Sequence, residues 1–327
     1  MVPRRGDRVR AGDGTVTSPT GTRLLISDPY VLGGNVFGWT ADKSESMAVL
    51  DAYADAGGQM IDTADVYSEW VPGHVGGESE RIVGAWLAKR GNRDRVRIAT
   101  KVGQLKSAPG LSRASVRAGV EGSLRRLGTD HIDVYFAHFD DPDTPLEETM
   151  SALDELVREG KVGHLAASNY APDRLAEALD IAAANGWASF DVYQAHYNLV
   201  RRARFETDYR DLLLTRGVPV LAYYSLAQGF LTGKYRDGAD DSGTARTASA
   251  LRHLDERGRA VLAVLDDVSA AHRVSPAAVA LAWLREQPSV AAPVASARTV
   301  AQLKELEQVR GLRLADDEIS ALTRASA

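Results

Sequence analysis

The chain has 327 residues, with 39 Lys or Arg against 44 Asp or Glu, for a formal net charge of -5. Its 44% hydrophobic and 25% charged residues fit a folded globular protein rather than a disordered chain, and the acidic balance argues against a nucleic-acid binder held mainly by phosphate contacts. Cysteine is absent, which excludes disulfides, cysteine-ligated zinc, iron–sulfur clusters and thiol nucleophiles, and fits a reducing cytoplasm.

The opening stretch MVPRRGDRVRAGDGTVTSPTG is rich in arginine and has no hydrophobic run behind it, so it lacks the core of a secretory signal. Residues 1–20 are expected to be a flexible tail leading into a short hairpin. No apolar run further along reaches the roughly 18–20 residues that span a bilayer, and no membrane contact is expected. From Val31 the sequence alternates apolar runs with helical patterns; the runs are VLGGN, QMIDT, VRIATKV, IDVYFAH, VGHLAAS, FDVYQA, PVLAYY and SVAAPV. Val116, Val120, Leu124 and Leu127 form one face of a helix ending at Gly128, and Leu146, Met150, Leu153, Leu156 and Val157 form another ending at Gly160. Ser275-Pro276 reads as an N-cap with proline in the first turn.

Eight buried strands separated by helices or long loops imply a parallel sheet with helices outside. The count of eight, and the lack of a strand–glycine turn–helix dinucleotide fingerprint, favour closure into a single (β/α)8 barrel over residues 21–327, with a short N-terminal hairpin and C-terminal helices. The stretch Gly33 to Thr40 approaches a P-loop, but Trp39 stands where the lysine is required, so a P-loop is rejected. Gly233 to Ala250, poor in apolar residues, is expected to be a mobile loop after the seventh strand.

In such a barrel the chemistry sits at the C-terminal strand ends. Those ends carry Asp62, Lys101, His138, Ser168-Asn169, Gln194 and Tyr223-Tyr224, with Tyr67 in the loop five residues after Asp62. Singly, Asp62 could cap a loop, Lys101 could extend to solvent and His138 could be a core histidine. Three successive strands ending in Asp, Lys and His instead point to one site at one barrel mouth. A lysine beside Tyr67 is expected to lower the phenol pKa, Asp62 to hold that lysine charged, and His138 to bond a substrate oxygen. Trp39, Trp70 and Phe139 are candidate pocket residues and suggest an apolar or aromatic substrate. The acidic cluster Asp140, Asp141 and Asp143 does not have calcium-loop spacing and reads as a solvated loop. The histidines outside His138 lack metal-ligand spacing, so no catalytic metal is expected.

These residues resemble the aldo-keto reductases. The motifs IDTADVY, ATKVG, DVYFAHFDDPDTPLEETMSAL, LVREGKVGHLAASNYAPDRL, VLAYYSLAQGFLTGKYR and PVASARTVAQLKEL occur in the family's order and extend the resemblance roughly from Val31 to Val309. The resemblance implies an NADPH-dependent enzyme transferring hydride from nicotinamide C4 to an aldehyde or ketone, with Asp62, Tyr67, Lys101 and His138 catalytic. It implies that Ser168, Asn169 and Gln194 hold the nicotinamide carboxamide and that Tyr223 stacks on the ring, although Tyr224 stands beside it where many members have serine. Gly33, Gly34 and Asn35 would lie near the nicotinamide, and Ser225, Leu226, Gln228, Gly229 and Leu231 along the pyrophosphate. Ser296 and Arg298 would hold a 2′-phosphate, with Gln302 and Glu305 around the adenosine; Leu306 replaces an asparagine common at its position. The expected partner is a small carbonyl compound, on a monomer or weak homo-oligomer in the cytoplasm. A redox-responsive NADPH-binding regulator with slow turnover is the alternative. An unrelated barrel hydrolase or isomerase using Asp62 and His138 would leave the nucleotide pattern unexplained.

Overall fold

Each apolar run forms a strand, and the strands close on themselves. A computed structural model of the protein describes residues 15–17, 23–236 and 247–327. Strands β1 (Thr15–Thr17) and β2 (Arg23–Leu25) pair antiparallel, Thr15 opposite Leu25. β1 therefore lies within the residues expected to be tail, and residues 1–14 lie outside the described residues. The next eight strands are β3 (Val31–Gly33), β4 (Met60–Asp62), β5 (Arg97–Val102), β6 (Ile132–Ala137), β7 (Val162–Ser168), β8 (Phe190–His196), β9 (Val220–Tyr223) and β10 (Val290–Ala295). They run parallel in sequence order, and β10 closes the barrel on β3 through the registers Val294–Val31 and Ala295–Leu32.

The pleat sorts the side chains into two layers. Val31, Met60, Ala99, Val134, Ala166, Val192, Leu221 and Ala292, one from each strand, form an interior cluster with Phe136, Val294 and Ile26. The alternate residues pack outward against the helices in a second, larger core. The outer layer includes α1 (Lys43–Asp55), α2 (Glu78–Arg90), α3 (Arg113–Leu127), α4 (Leu146–Arg158), α5 (Pro172–Asn185) and α6 (Arg210–Arg216). After β9 come α7 (Thr247–Leu251), α8 (Glu256–His272) and α9 (Pro276–Arg285), then α10 (Val300–Glu307) and α11 (Asp316–Ala325).

The helix limits follow local chemistry. Ser112 caps α3 by accepting from the Ser115 N–H, and Gly128 ends it in the left-handed conformation at φ 66°. Ser275 caps α9 through the Ala278 N–H with Pro276 in the first turn, as expected. The expected loop from Gly233 to Ala250 needs correction. Thr247, Ala248, Ser249 and Ala250 begin helix α7, in which Thr247 and Ala250 are buried, while residues 237–246 lie outside the described residues. Among the described residues, no helix is long and apolar enough to cross a membrane.

Candidate active site

The strand ends deliver the expected charged residues to one place. Lys101, near the end of β5, is fully buried, and its Nζ donates to Asp62 Oδ2 at 2.8 Å, to the Thr63 carbonyl at 2.7 Å and to Tyr67 Oη at 2.9 Å. The Gln194 amide, from β8, donates to the other Asp62 oxygen at 3.0 Å. Asp62 is thus held from two sides, and all three ammonium protons have acceptors. The His138 ring lies 6.2 Å from that of Tyr67, centre to centre, and its Nδ1 is buried without a hydrogen-bond partner.

Burial sets the protonation of this group. Burial, with Asp62 adding to it, pushes the Tyr67 phenol well above its ordinary range, so the resting residue keeps its proton. The net direction is the opposite of the one expected for a tyrosine beside a lysine, because desolvation of the phenolate is the largest contribution. Burial lowers Lys101, and Asp62 opposes that shift. Burial first, then Lys101, pushes His138 far down, leaving a neutral imidazole.

A cavity of about 820 Å³ opens above these residues. Asp62, Tyr67 and His138 line it, and so do Trp39, Trp70 and Phe139. Trp39 and Trp70 meet edge to face with centres 5.4 Å apart. The same cavity continues past Gly33, Asn35, Ser168, Asn169, Gln194, Tyr223, Ser225, Leu226, Gln228 and Gly229 to Ser296, Arg298, Gln302 and Glu305. Two expected residues do not line it. Gly34 is turned to the barrel framework, its N–H donating to the Asp62 carbonyl at 2.7 Å and its carbonyl accepting from Ser79 Oγ at 2.8 Å. Leu231 is fully buried in the core, and its N–H is used by the Leu226 carbonyl.

Several polar residues hold one another in place. Asn169 donates to the His138 carbonyl at 2.9 Å and accepts from Tyr223 Oη at 2.9 Å, while Ser168 Oγ bonds the Gln194 carbonyl. Ser296 Oγ donates to Asn35 Oδ1 at 2.7 Å, across the seam where β10 meets β3. A Cβ on Gly33 would lie 2.6 Å from that Ser296 oxygen, so a larger residue there would have to displace the Ser296 hydroxyl. The backbone is strained along the same rim: Asn169, Tyr224, Ala227 and Gln228 have φ of 59°, 53°, 47° and 58°. Such non-glycine conformations cost about 1–3 kcal/mol each and gather where a ligand is held.

The residues present fit a dinucleotide. Polar donors and a close glycine approach occur along the cavity, and the Arg298 guanidinium makes no ion pair among the described residues. Arg298 also precedes α10, whose first turn is capped by Thr299 accepting from the Gln302 N–H. Sequence reasoning missed Lys234, Thr232 and Ser249, which also line the cavity. Lys234 belongs to the GKYR segment already singled out, so a charged residue in that motif was the available signal. Ser249 lies on the short helix taken for loop and had none.

The sequence profile described as the Aldo/keto reductase family matches residues 29–327. Protein tas of Escherichia coli (strain K12) is 30% identical over 318 residues, covering 89% of this chain and 92% of that protein. The uncharacterized oxidoreductase YrpG of Bacillus subtilis is 35% identical over 283 residues, covering 84% of each chain. Norsolorinic acid reductase of Aspergillus flavus is 31% identical over 327 residues, covering 95% of this chain and 80% of that enzyme. A closed eight-stranded barrel, a lysine–tyrosine–aspartate group at its mouth and a family match over nearly the whole chain agree: the protein is a member of the aldo/keto reductase family of oxidoreductases.

Proposed function

We propose that the protein is an NADPH-dependent carbonyl reductase that converts an apolar or aromatic aldehyde or ketone to its alcohol. The observation that carries this reading is the protonated Tyr67 hydroxyl at the cavity floor, hydrogen-bonded to a buried Lys101 that Asp62 holds. A bound nicotinamide dinucleotide supplies the hydride. Tyr67 Oη gives its proton to the substrate oxygen, and Lys101 Nζ, already donating to that oxygen of Tyr67, stabilises the phenolate left behind. Asp62 favours the charged form of Lys101, and Gln194 keeps Asp62 oriented. His138, neutral and beside the tyrosine ring, is placed to orient the carbonyl. General-acid help of this kind typically contributes about 10²–10⁴-fold.

The cofactor reading draws on the polar track from Asn35 to Gln302 and on the cation Arg298 at its far end, suited to a 2′-phosphate. Trp70 and Phe139, exposed at 48% and 41%, present aromatic surface at the other end and favour a ring-bearing substrate. The test is a fluorescence titration with NADPH, then addition of aromatic aldehydes while NADPH oxidation is followed. Tyr67→Phe is expected to lower turnover by about 10²-fold or more while NADPH binding stays within about threefold. Full turnover by that variant would remove Tyr67 as the acid. Binding without turnover in the parent protein would favour a regulatory role.

A further inference from the structure

The residue after the proton donor has a glycine's backbone without being glycine. Ser68 is fully buried with φ 73°, a left-handed conformation that glycine adopts at no steric cost and other residues adopt under strain. What serine adds there is a hydroxyl. Ser68 Oγ donates at 3.1 Å to the carbonyl of Phe37, a fully buried residue in the turn between β3 and α1.

That turn is a fixed body. Its Val36 carbonyl accepts from the N–H groups of Trp39, Thr40 and Ala41, and its Gly34 carbonyl accepts from the Phe37 N–H at 3.0 Å. A second buried hydroxyl ties the same turn to the start of the Tyr67 loop. Ser79 Oγ, from α2, donates to the Gly34 carbonyl and accepts from Thr63 Oγ1, both at 2.8 Å. The Thr63 carbonyl in turn accepts from Lys101 Nζ, so this tie sits at the lysine and the Ser68 tie sits at the tyrosine. The segment from Asp62 to Ser68 is therefore pinned at both ends to one turn, and that turn carries Asn35 and Trp39 into the cavity. On the cavity side the two segments meet again through rings, Trp39 on Trp70 at 5.4 Å and Trp70 on Tyr67 at 6.2 Å between centres.

Lys101 is held by Asp62 and by the Thr63 carbonyl, so its 2.9 Å bond to Tyr67 Oη survives only if the tyrosine backbone is held as firmly. Bonds from the Tyr67 N–H to the Ala64 carbonyl and from the Glu69 N–H to the Val66 carbonyl shape the loop from within. The Ser68 hydroxyl fixes it against the barrel mouth, one residue from the donor. We infer that Ser68 is a positioning residue for the proton donor, its hydroxyl kept despite local strain to hold the Tyr67 phenol on Lys101. The inference rests on the reading of Tyr67 as the acid and adds to it a residue that does not line the cavity.

The experiment compares the parent with Ser68→Gly, which suits φ 73° and removes the hydroxyl, with Ser68→Ala, which keeps the Cβ, with Tyr67→Phe, and with the double variant Tyr67→Phe/Ser68→Gly. Benzaldehyde reduction, NADPH binding by fluorescence and the unfolding midpoint are read for each. Misplacing a reacting group by about 1 Å costs up to about 10²-fold, and either Ser68 change, a smaller disturbance, should lower kcat by about tenfold while the NADPH Kd stays within about twofold. In the Tyr67→Phe background the glycine should alter the residual rate by less than about twofold, because the hydroxyl it positions is already gone. In nucleotide-free protein labelled with [ζ-13C]tyrosine, the resonance missing from Tyr67→Phe should shift or broaden in Ser68→Gly. Unchanged kcat in Ser68→Gly overturns the inference, as does an unmoved Tyr67 resonance or an equal proportional loss in the Tyr67→Phe background, the mark of a general structural role. None of these results touches the acid reading. Full turnover by Tyr67→Phe, or no turnover by the parent, overturns that reading and this inference with it.

Discussion

Asp65 stands three residues from Asp62 and has the opposite fate. Its side chain is fully buried and neither oxygen has a hydrogen-bond partner, whereas neighbouring Glu80 accepts from Thr100 Oγ1 at 2.6 Å and from Arg126 Nε at 2.5 Å. Burial, with Glu80 adding to it and Arg126 opposing, raises Asp65 to about 8, so at neutral pH it is a protonated acid. The unfolded chain releases that proton near the ordinary 3.8. Between these values the folded state holds the extra proton, so the contribution of Asp65 to stability is full at low pH and is lost as pH rises through about 8. Removing the titration with Asp65→Asn should leave a variant whose stability gains on the parent by up to about 1.4 kcal/mol per pH unit across this window. Urea unfolding of both proteins at several pH values reads the difference; parallel curves would show that Asp65 does not titrate there. The contrast also marks what the sequence can carry at this scale. Asp62, Lys101 and His138 were legible because a charged or titratable group ending an apolar strand is conspicuous. The state of Asp65 depends on Glu80 and Arg126, which come from two helices distant in the chain, and nothing near it in sequence announces them.

Those two helices meet through a glycine. A Cβ on Gly84 of α2 would lie 2.4 Å from the Arg126 carbonyl oxygen and 2.7 Å from that of Leu127 at the end of α3. The obstacle is backbone, so it cannot rotate away, and Gly84→Ala must part the helices. Helix propensity favours the alanine by about 1 kcal/mol, but overpacking of this kind costs about 1–3 kcal/mol and here acts against rigid atoms. The variant should therefore lose about 1–2 kcal/mol net, seen as a lower unfolding midpoint. Gly311→Ala, where nothing lies within 4 Å of the added carbon, should stay within about 0.5 kcal/mol of the parent. Equal midpoints for the two variants would mean that the α2–α3 contact relaxes freely. Strands were readable from their apolar runs, α3 from its apolar face and Gly128, and α9 from Ser275, because each signal is local. Gly84 was not readable, since a glycine inside a helical pattern looks like lowered propensity until the facing backbone is known. The same holds for α7, whose short polar sequence becomes a helix through burial of Thr247 and Ala250 rather than through its own pattern.

The barrel closes where the chain's first and last barrel strands meet, and the proposed cofactor site straddles that closure. Gly33 ends β3 and Asn35 follows it, while Ser296 and Arg298 follow β10; all four line the cavity, and the Ser296–Asn35 hydrogen bond is a side-chain link across the closure. A ligand bound to both sides can bind fully only when the barrel is closed, so its binding energy adds to the stability of the whole fold. NADPH at about a hundred times its Kd should add about 2.7 kcal/mol, measured as a rise in Tm of the intact protein. On the proposed reading, NADH at the same concentration should raise Tm less, because it lacks the phosphate assigned to Arg298, which has no ion pair among the described residues. If Arg298 meets only the 2′-phosphate, then in Arg298→Ala the NADPH shift should fall to that of NADH while the NADH shift holds. Equal losses for the two nucleotides would mean that Arg298 shapes the end of the site rather than reading the phosphate, and the preference for NADPH would then need another source, with Lys234 on the same cavity wall as the next cation to replace.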